Sequence, residues 1–151
     1  MRIFIGADHR GFELKKKVAE FLRSAGNDVV DVGTHEQETP CDYPQFSYDV
    51  ATQVVKDPGS RGILICNTGI GHSIAANKVP GAYAALCYNK DAAALSRQHN
   101  NSNILVIGSK YVTEAELTEI ITIWLNTAFE GGRHQARTER IKQIEREFTK
   151  S

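Results

Sequence analysis

Neither sign of charge dominates this chain. Lysine plus arginine and aspartate plus glutamate each number 18 among 151 residues, so the formal net charge is zero. A balanced chain has no bulk basic field to recruit nucleic acid or an anionic membrane, so recognition of an anion must be local. Long apolar runs are missing too. None approaches the roughly 18–20 residues of a membrane span, and the opening MRIFIGADHRG lacks the apolar core and small-residue cleavage site of a secretory signal. Cysteine is scarce: Cys41, Cys66 and Cys87 match no zinc spacing, and an odd set of three predicts free thiols in a reducing, cytoplasmic compartment. Internal repeats, low-complexity segments, a dinucleotide fingerprint and a P-loop lysine–serine pair are all absent. The length suits one domain, residues 1–151, with a core that needs no staple.

What is present alternates strand with helix. Short apolar runs at residues 2–6, 28–32, 63–65, 82–86 and 104–107 read as strands. Between them lie helical patterns: Phe12, Leu14, Val18, Phe21 and Leu22 up to a stop at Gly26, then Phe46, Val50, Val54 and Val55 after Pro44, and an alanine-rich segment over 89–98. Thr113 with Glu116 reads as a capping box for a helix carrying Leu117, Ile120, Ile121, Trp124 and Leu125, and a charged helix over 134–148 closes the chain. This alternation predicts an α/β fold of three layers, a doubly wound, Rossmann-like five-stranded parallel sheet with an extended C-terminal helix. Ligands of such sheets sit beyond the carboxyl ends of the strands.

The stretch GILICNTGIGHSIAANK, residues 62–78, concentrates the chemistry. A buried strand ends in Cys66, and Asn67, Thr68, Gly69, Ile70 and Gly71 form a loop whose glycines let backbone amides approach a ligand before a helix begins at His72. A thiol beside a helix start is expected to have a lowered pKa and to serve as base or nucleophile; a buried core cysteine is the competing reading. Thr68 offers a hydroxyl that passes a proton or merely caps a turn. The topology sets Asp8 and His9, after the first strand, beside this loop, as a grip for sugar hydroxyls or phosphate or as a solvated pair. His99 and Asn100 precede the fifth strand and so belong at the opposite end of the sheet, either as a polar helix terminus or as part of a site completed by a second subunit. Arg133 and Arg137 share one helical face, where like charges repel unless an anion lies between them.

Six blocks in order make the sequence resemble the ribose-5-phosphate isomerase B family, which also holds allose-6-phosphate isomerase and the galactose-6-phosphate isomerase subunits. They are Asp8-His9 with Gly11; Asp42-Tyr43-Pro44; Cys66 with Thr68-Gly69-Ile70-Gly71; residues 73–78, SIAANK; residues 96–100, SRQHN; and Gly131-Gly132-Arg133-His134 with Arg137. The resemblance implies a metal-free, cofactor-free aldose–ketose isomerase of ribose 5-phosphate and ribulose 5-phosphate, in the non-oxidative pentose phosphate pathway, acting through a cis-enediolate. It implies that His99 with Asp8 opens the furanose ring, that Cys66 moves a proton between C2 and C1, and that Thr68 assists at the sugar oxygens. Amides of the loop from Asn67 through Gly69 and Gly71 to Ser73 would hold the enediolate. His9, Arg133 and Arg137 would hold the phosphate, Tyr43 would line the pocket and Asn100 would bind sugar oxygens. The implied assembly is a homodimer with shared active sites, alone or paired into tetramers, with no nucleic-acid or membrane partner.

Four positions depart from the family pattern. Asn67 replaces a glycine, a residue type that tolerates the left-handed conformation. Lys110 replaces a phosphate-contacting arginine, and Tyr83 replaces another arginine. His72 stands where a cysteine-free branch places a glutamate base; the competing expectation for it is a partly exposed residue in the first helical turn. A hexose 6-phosphate isomerase and a non-catalytic sugar-phosphate or nucleotide binding module are the alternatives.

Overall fold

In the computed structural model, which describes residues 1–35 and 42–149, five parallel strands run in the order β2-β1-β3-β5-β4. They are β1 Arg2–Ala7, β2 Asp28–Gly33, β3 Arg61–Cys66, β4 Ala84–Leu86 and β5 Ile104–Gly108. The helices are α1 Phe12–Ser24, α2 Tyr43–Lys56, α3 Ile70–Ala76, α4 Lys90–Asn100, α5 Glu114–Asn126 and α6 Arg133–Thr149. Cys41 and most of the connection before α2 lie outside the described residues.

Strand residues alternate between two apolar layers, as the period of a pleated strand demands. Ile3, Ile5, Ile63, Ile65, Leu105 and Ile107 face α1, α4 and α5, packing on Val18, Leu22, Ala93, Ile120 and Trp124. Phe4, Leu64, Ile104 and Val106 face the other way, onto Val50, Ala51 and Val54 of α2 and Ala76 of α3. Both faces of the sheet are therefore covered, which is why its strands read as continuous apolar runs. The predicted three-layer, doubly wound parallel sheet is the observed fold.

Several boundaries differ from the sequence reading, each for a local reason. The fourth strand begins at Ala84, not residue 82, because side-chain amides take the place of ladder bonds there. Asn103 receives the Tyr83 amide at 2.8 Å and donates to the Gly81 carbonyl at 2.9 Å, while Asn77 exchanges two bonds with the backbone of Ala84. Helix α4 runs on to Asn100 and stops where Asn101 turns left-handed, at φ 52°. Helix α3 starts at Ile70 rather than His72, since Gly69 at φ 83° turns the chain directly into it. The Thr113 cap is present, its hydroxyl accepting the Glu116 amide at 3.1 Å, but the Glu116 carboxylate meets that hydroxyl instead of the backbone. Phe21 and Val55, part of the apolar patterns that marked α1 and α2, are exposed. Lys15 goes the other way: it is fully buried, its ammonium 2.8 Å from Asp31 and donating also to the Thr34 carbonyl.

Candidate active site

Strands β1 and β3 are neighbours whose connections leave in opposite directions along the sheet, the switch point at which open α/β sheets hold ligands. Asp8 and His9 follow β1 there, and Cys66 ends β3. The Asp8 carboxylate caps a short 3-10 turn at residues 9–11, accepting the amides of Arg10 and Gly11 at 3.1 Å each. That turn presses on the end of β3, and the Asp8 charge is felt at both Cys66 and His72. Tyr43 opens α2 with its ring over Gly71, where an added Cβ would stand 2.5 Å from it.

The loop after β3 is clamped on every side. Gly69 donates its amide to the Cys66 sulfur at 3.0 Å, and the Thr68 hydroxyl accepts the Ile70 amide at 3.3 Å. Just after β5, Ser109 donates to the Cys66 carbonyl at 3.1 Å and the Lys110 amide to the Asn67 carbonyl at 3.0 Å. Tyr88, after β4, donates its phenol to the Thr68 carbonyl at 3.1 Å. Tyr88 and Ser109 were not singled out in the sequence, and the aromatic pairing of Tyr88 with Tyr111, 4.9 Å between ring centroids, has no local signature. Asn67 does not use the left-handed conformation that its residue type tolerates; Asn101 is the one non-glycine with positive φ among the described residues. Lys110 is exposed, its ammonium 5.8 Å from the Tyr111 ring centroid.

Two expectations are corrected. The Cys66 thiol is pushed above its usual range, not below it, because burial disfavours the thiolate by more than the Gly69, Thr68 and His72 amides favour it, and the Asp8 charge adds to the rise. His72 is not partly exposed but completely buried. Its pKa falls to about 4, chiefly through burial, against the opposing pull of Asp8, so the ring is neutral at neutral pH. Nδ1 lies 2.5 Å from the Ser47 hydroxyl, the Tyr43 ring meets it edge-on at 5.6 Å, and Nε2 has no hydrogen-bond partner.

His99, Asn100, Arg133 and Arg137 do not join this group within one chain. His99 and Asn100 end α4 before β5 begins, whereas Cys66 pairs with Gly108 at the far end of β5. The two ends are separated by the strand itself, roughly 15 Å at 3.3 Å per residue. Arg133 and Arg137 are exposed on α6, beside α4, with the His134 ring stacked on His99 at 4.1 Å. His9 and the arginines therefore cannot grip one phosphate inside a single chain. Tyr83 belongs to that same end, its phenol donating to Glu145 of α6 at 3.1 Å.

Residues 3–141 match a family described as Ribose/Galactose Isomerase. The probable ribose-5-phosphate isomerase B of Mycoplasma genitalium is 45% identical over 146 residues, 96% of this chain and 96% of that protein. Ribose-5-phosphate isomerase B of Escherichia coli K12 is 44% identical over 144 residues, 95% and 96% of the two chains. A solved structure of the Mycoplasma genitalium protein with bound ribulose-5-phosphate matches with a TM-score of 0.93 at 45% identity, covering 97% of each chain. A Clostridium thermocellum ribose-5-phosphate isomerase B matches with a TM-score of 0.93 at 47% identity, covering 98% of this chain and 99% of that one.

Proposed function

The chain belongs to the ribose/galactose isomerase family and is an isomerase of the type B ribose-5-phosphate class, and from that premise we propose that it interconverts D-ribose 5-phosphate and D-ribulose 5-phosphate through a cis-enediolate with Cys66 as the base. The observation that carries the reading is the Cys66 sulfur at the β1/β3 switch point, within the field of Asp8 and 3.0 Å from the Gly69 amide.

The thiolate takes the proton from C2 and returns it to C1. Between those two transfers negative charge spreads over O1 and O2, where amides between Asn67 and Ser73 are fixed before the charge forms, so they need no reorganisation as it develops. Thr68, held by Tyr88 and by its own bond to Ile70, serves the proton traffic at those oxygens. Asp8 orients the sugar, Tyr43 walls the pocket over Gly71, and His9 and Lys110 lie on the phosphate side. No cofactor is required, because one proton moves from C2 to C1, another from O2 to O1, and no net redox change occurs. The step fits the non-oxidative pentose phosphate pathway.

The site is completed by a second copy of the chain, which supplies His99 to open the ring with Asp8, Asn100 to bind sugar oxygens, and Arg133 with Arg137 for the phosphate. Supporting this, α6 exposes Ile141, Ile144 and Phe148 on one stripe along an open cavity of about 730 Å³ that also takes in Asn100. That is an apolar face next to the stranded polar cluster. Mixing Cys66→Ala with His99→Ala chains, each inactive alone, is expected to restore about a quarter of wild-type turnover, because half of the random dimers are hybrids with one intact site of two. No recovery despite subunit exchange seen by mass spectrometry would overturn the shared-site reading and remove His99 from the site of Cys66.

Substrate class is tested by ketose formation from ribose 5-phosphate, allose 6-phosphate and galactose 6-phosphate in the presence of a chelator. Turnover of the pentose is expected to exceed that of either hexose by at least about tenfold, the scale of one misfitted carbon. Preference for a hexose would overturn the substrate assignment, and a requirement for added metal would overturn the mechanism.

A further inference from the structure

We propose that His99, Glu130 and His134 form a site for a borderline divalent cation, zinc above all, that restrains rather than supports turnover. One donor atom from each residue lies within 4.8 Å of the others. The rings of His99 and His134 stack at 4.1 Å with 15° between their planes, so their nitrogens stand side by side. The Glu130 carboxylate lies 3.7 Å from His134 Nε2, too long for a hydrogen bond. Two donors bound to one tetrahedral zinc at about 2.0–2.1 Å are roughly 3.3 Å apart and each ring plane must contain the ion, so the His99–His134 stack opens by side-chain rotation as the set closes around it.

The backbone has already brought the donors together. The Glu130 amide donates to the Gln98 carbonyl at 3.1 Å, tying the carboxylate-bearing residue to the one before His99, and the His134 amide donates to Gly131 at 2.9 Å as α6 begins. His134 is buried, so its ring is held in place by packing before any ion arrives. Two imidazoles and one carboxylate suit zinc and its neighbours, whereas magnesium and calcium prefer all-oxygen sets. The charges of Arg133 and Arg137 act on His134 and oppose a cation, which weakens the site.

The binding claim stands on geometry alone; its consequence for turnover rests on the proposed role of His99 in ring opening. An ion on the His99 ring occupies the lone pair that would exchange a proton with the ring oxygen, and open-chain formation slows.

Calorimetric titration of the chelator-stripped full-length protein with zinc, for the wild type and for Glu130→Gln and His134→Gln, tests the site without using activity. One equivalent per chain is expected, with affinity at least tenfold weaker in both variants; cobalt in place of zinc should give visible absorption bands of low-coordinate geometry in the wild type and lose them in Glu130→Gln. Undetectable binding, or equal affinity in the wild type and Glu130→Gln, overturns the proposal, and the exposed position of Glu130 keeps that comparison free of folding effects. Turnover should fall with zinc in the wild type and need about tenfold more zinc in Glu130→Gln. Binding as expected with turnover untouched would leave the metal site standing and remove His99 from the reaction.

Discussion

Cys66→Ala is expected to lower kcat by about 10³-fold while leaving the affinity for a phosphosugar within about threefold of wild type. A positioned general base contributes on the order of 10² to 10⁴ in rate, and 10³ is about 4 kcal/mol of barrier. Affinity should survive because the phosphate is assigned to His9, Lys110, Arg133 and Arg137 rather than to the thiol, and the loop stays pinned by Ser109, Lys110 and Tyr88 when the sulfur is removed. Stopped-flow turnover and calorimetry with ribulose 5-phosphate measure the two quantities separately. The pH profile gives a second reading. The base acts as thiolate and burial raises its pKa, so kcat/KM of the wild type should still be climbing above neutral pH, and that limb should vanish in the variant.

Near-normal turnover by Cys66→Ala would move the base role to His72. That ring is neutral at neutral pH, lies within the field of Asp8 and keeps one nitrogen unpartnered although completely buried. Its other nitrogen is held by Ser47 of α2, so the helix that carries Tyr43 also sets the ring that backs the loop.

The sheet was readable because both of its faces are covered. Runs such as residues 63–65 and 104–107 admit few other readings when helical patterns separate them, and the capping residue Thr113 marks its helix by chemistry that is local in sequence. Cys66, Asp8 and the loop between them could be brought together from topology alone, since a parallel sheet sends every strand's carboxyl end to one edge. The environment of those residues was another matter. The direction of the Cys66 shift depends on how much water the folded chain removes, and a neighbouring helix start could not reveal that burial outweighs three amides. His72 looked like a surface residue because its burial comes from α2, 25 residues away in sequence. The stack of His99 on His134 joins α4 to α6, and no spacing within either helix announces it.

Gly108→Ala is expected to weaken folding by about 1–3 kcal/mol, the usual cost of overpacking, and to lower kcat by about 10²-fold. The backbone there is ordinary strand, φ −98° and ψ 102°, so any residue could adopt it; the requirement is one of space. A Cβ at this position would stand 2.2 Å from the Thr68 carbonyl oxygen and 2.6 Å from its carbon, both backbone atoms that cannot swing aside. The loop must retreat by about 1 Å to reach ordinary contact, and displacements of that size between reacting groups cost about 10² in rate. It would carry with it Thr68 and the Gly69 amide, the donor on the Cys66 sulfur. Gly26→Ala supplies the control: φ of 91° strains an alanine by about 1–2 kcal/mol, yet nothing lies within 4 Å of its Cβ and it sits at the amino edge of the sheet. Thermal melts should show both variants destabilised, by roughly 2–4 °C per kcal/mol for a chain of this size, with turnover lost only in Gly108→Ala. Full turnover in a destabilised Gly108→Ala protein would show that the amides after β3 do not hold the reacting oxygens, and the enediolate would then have to be stabilised from the side of Asp8 and His9.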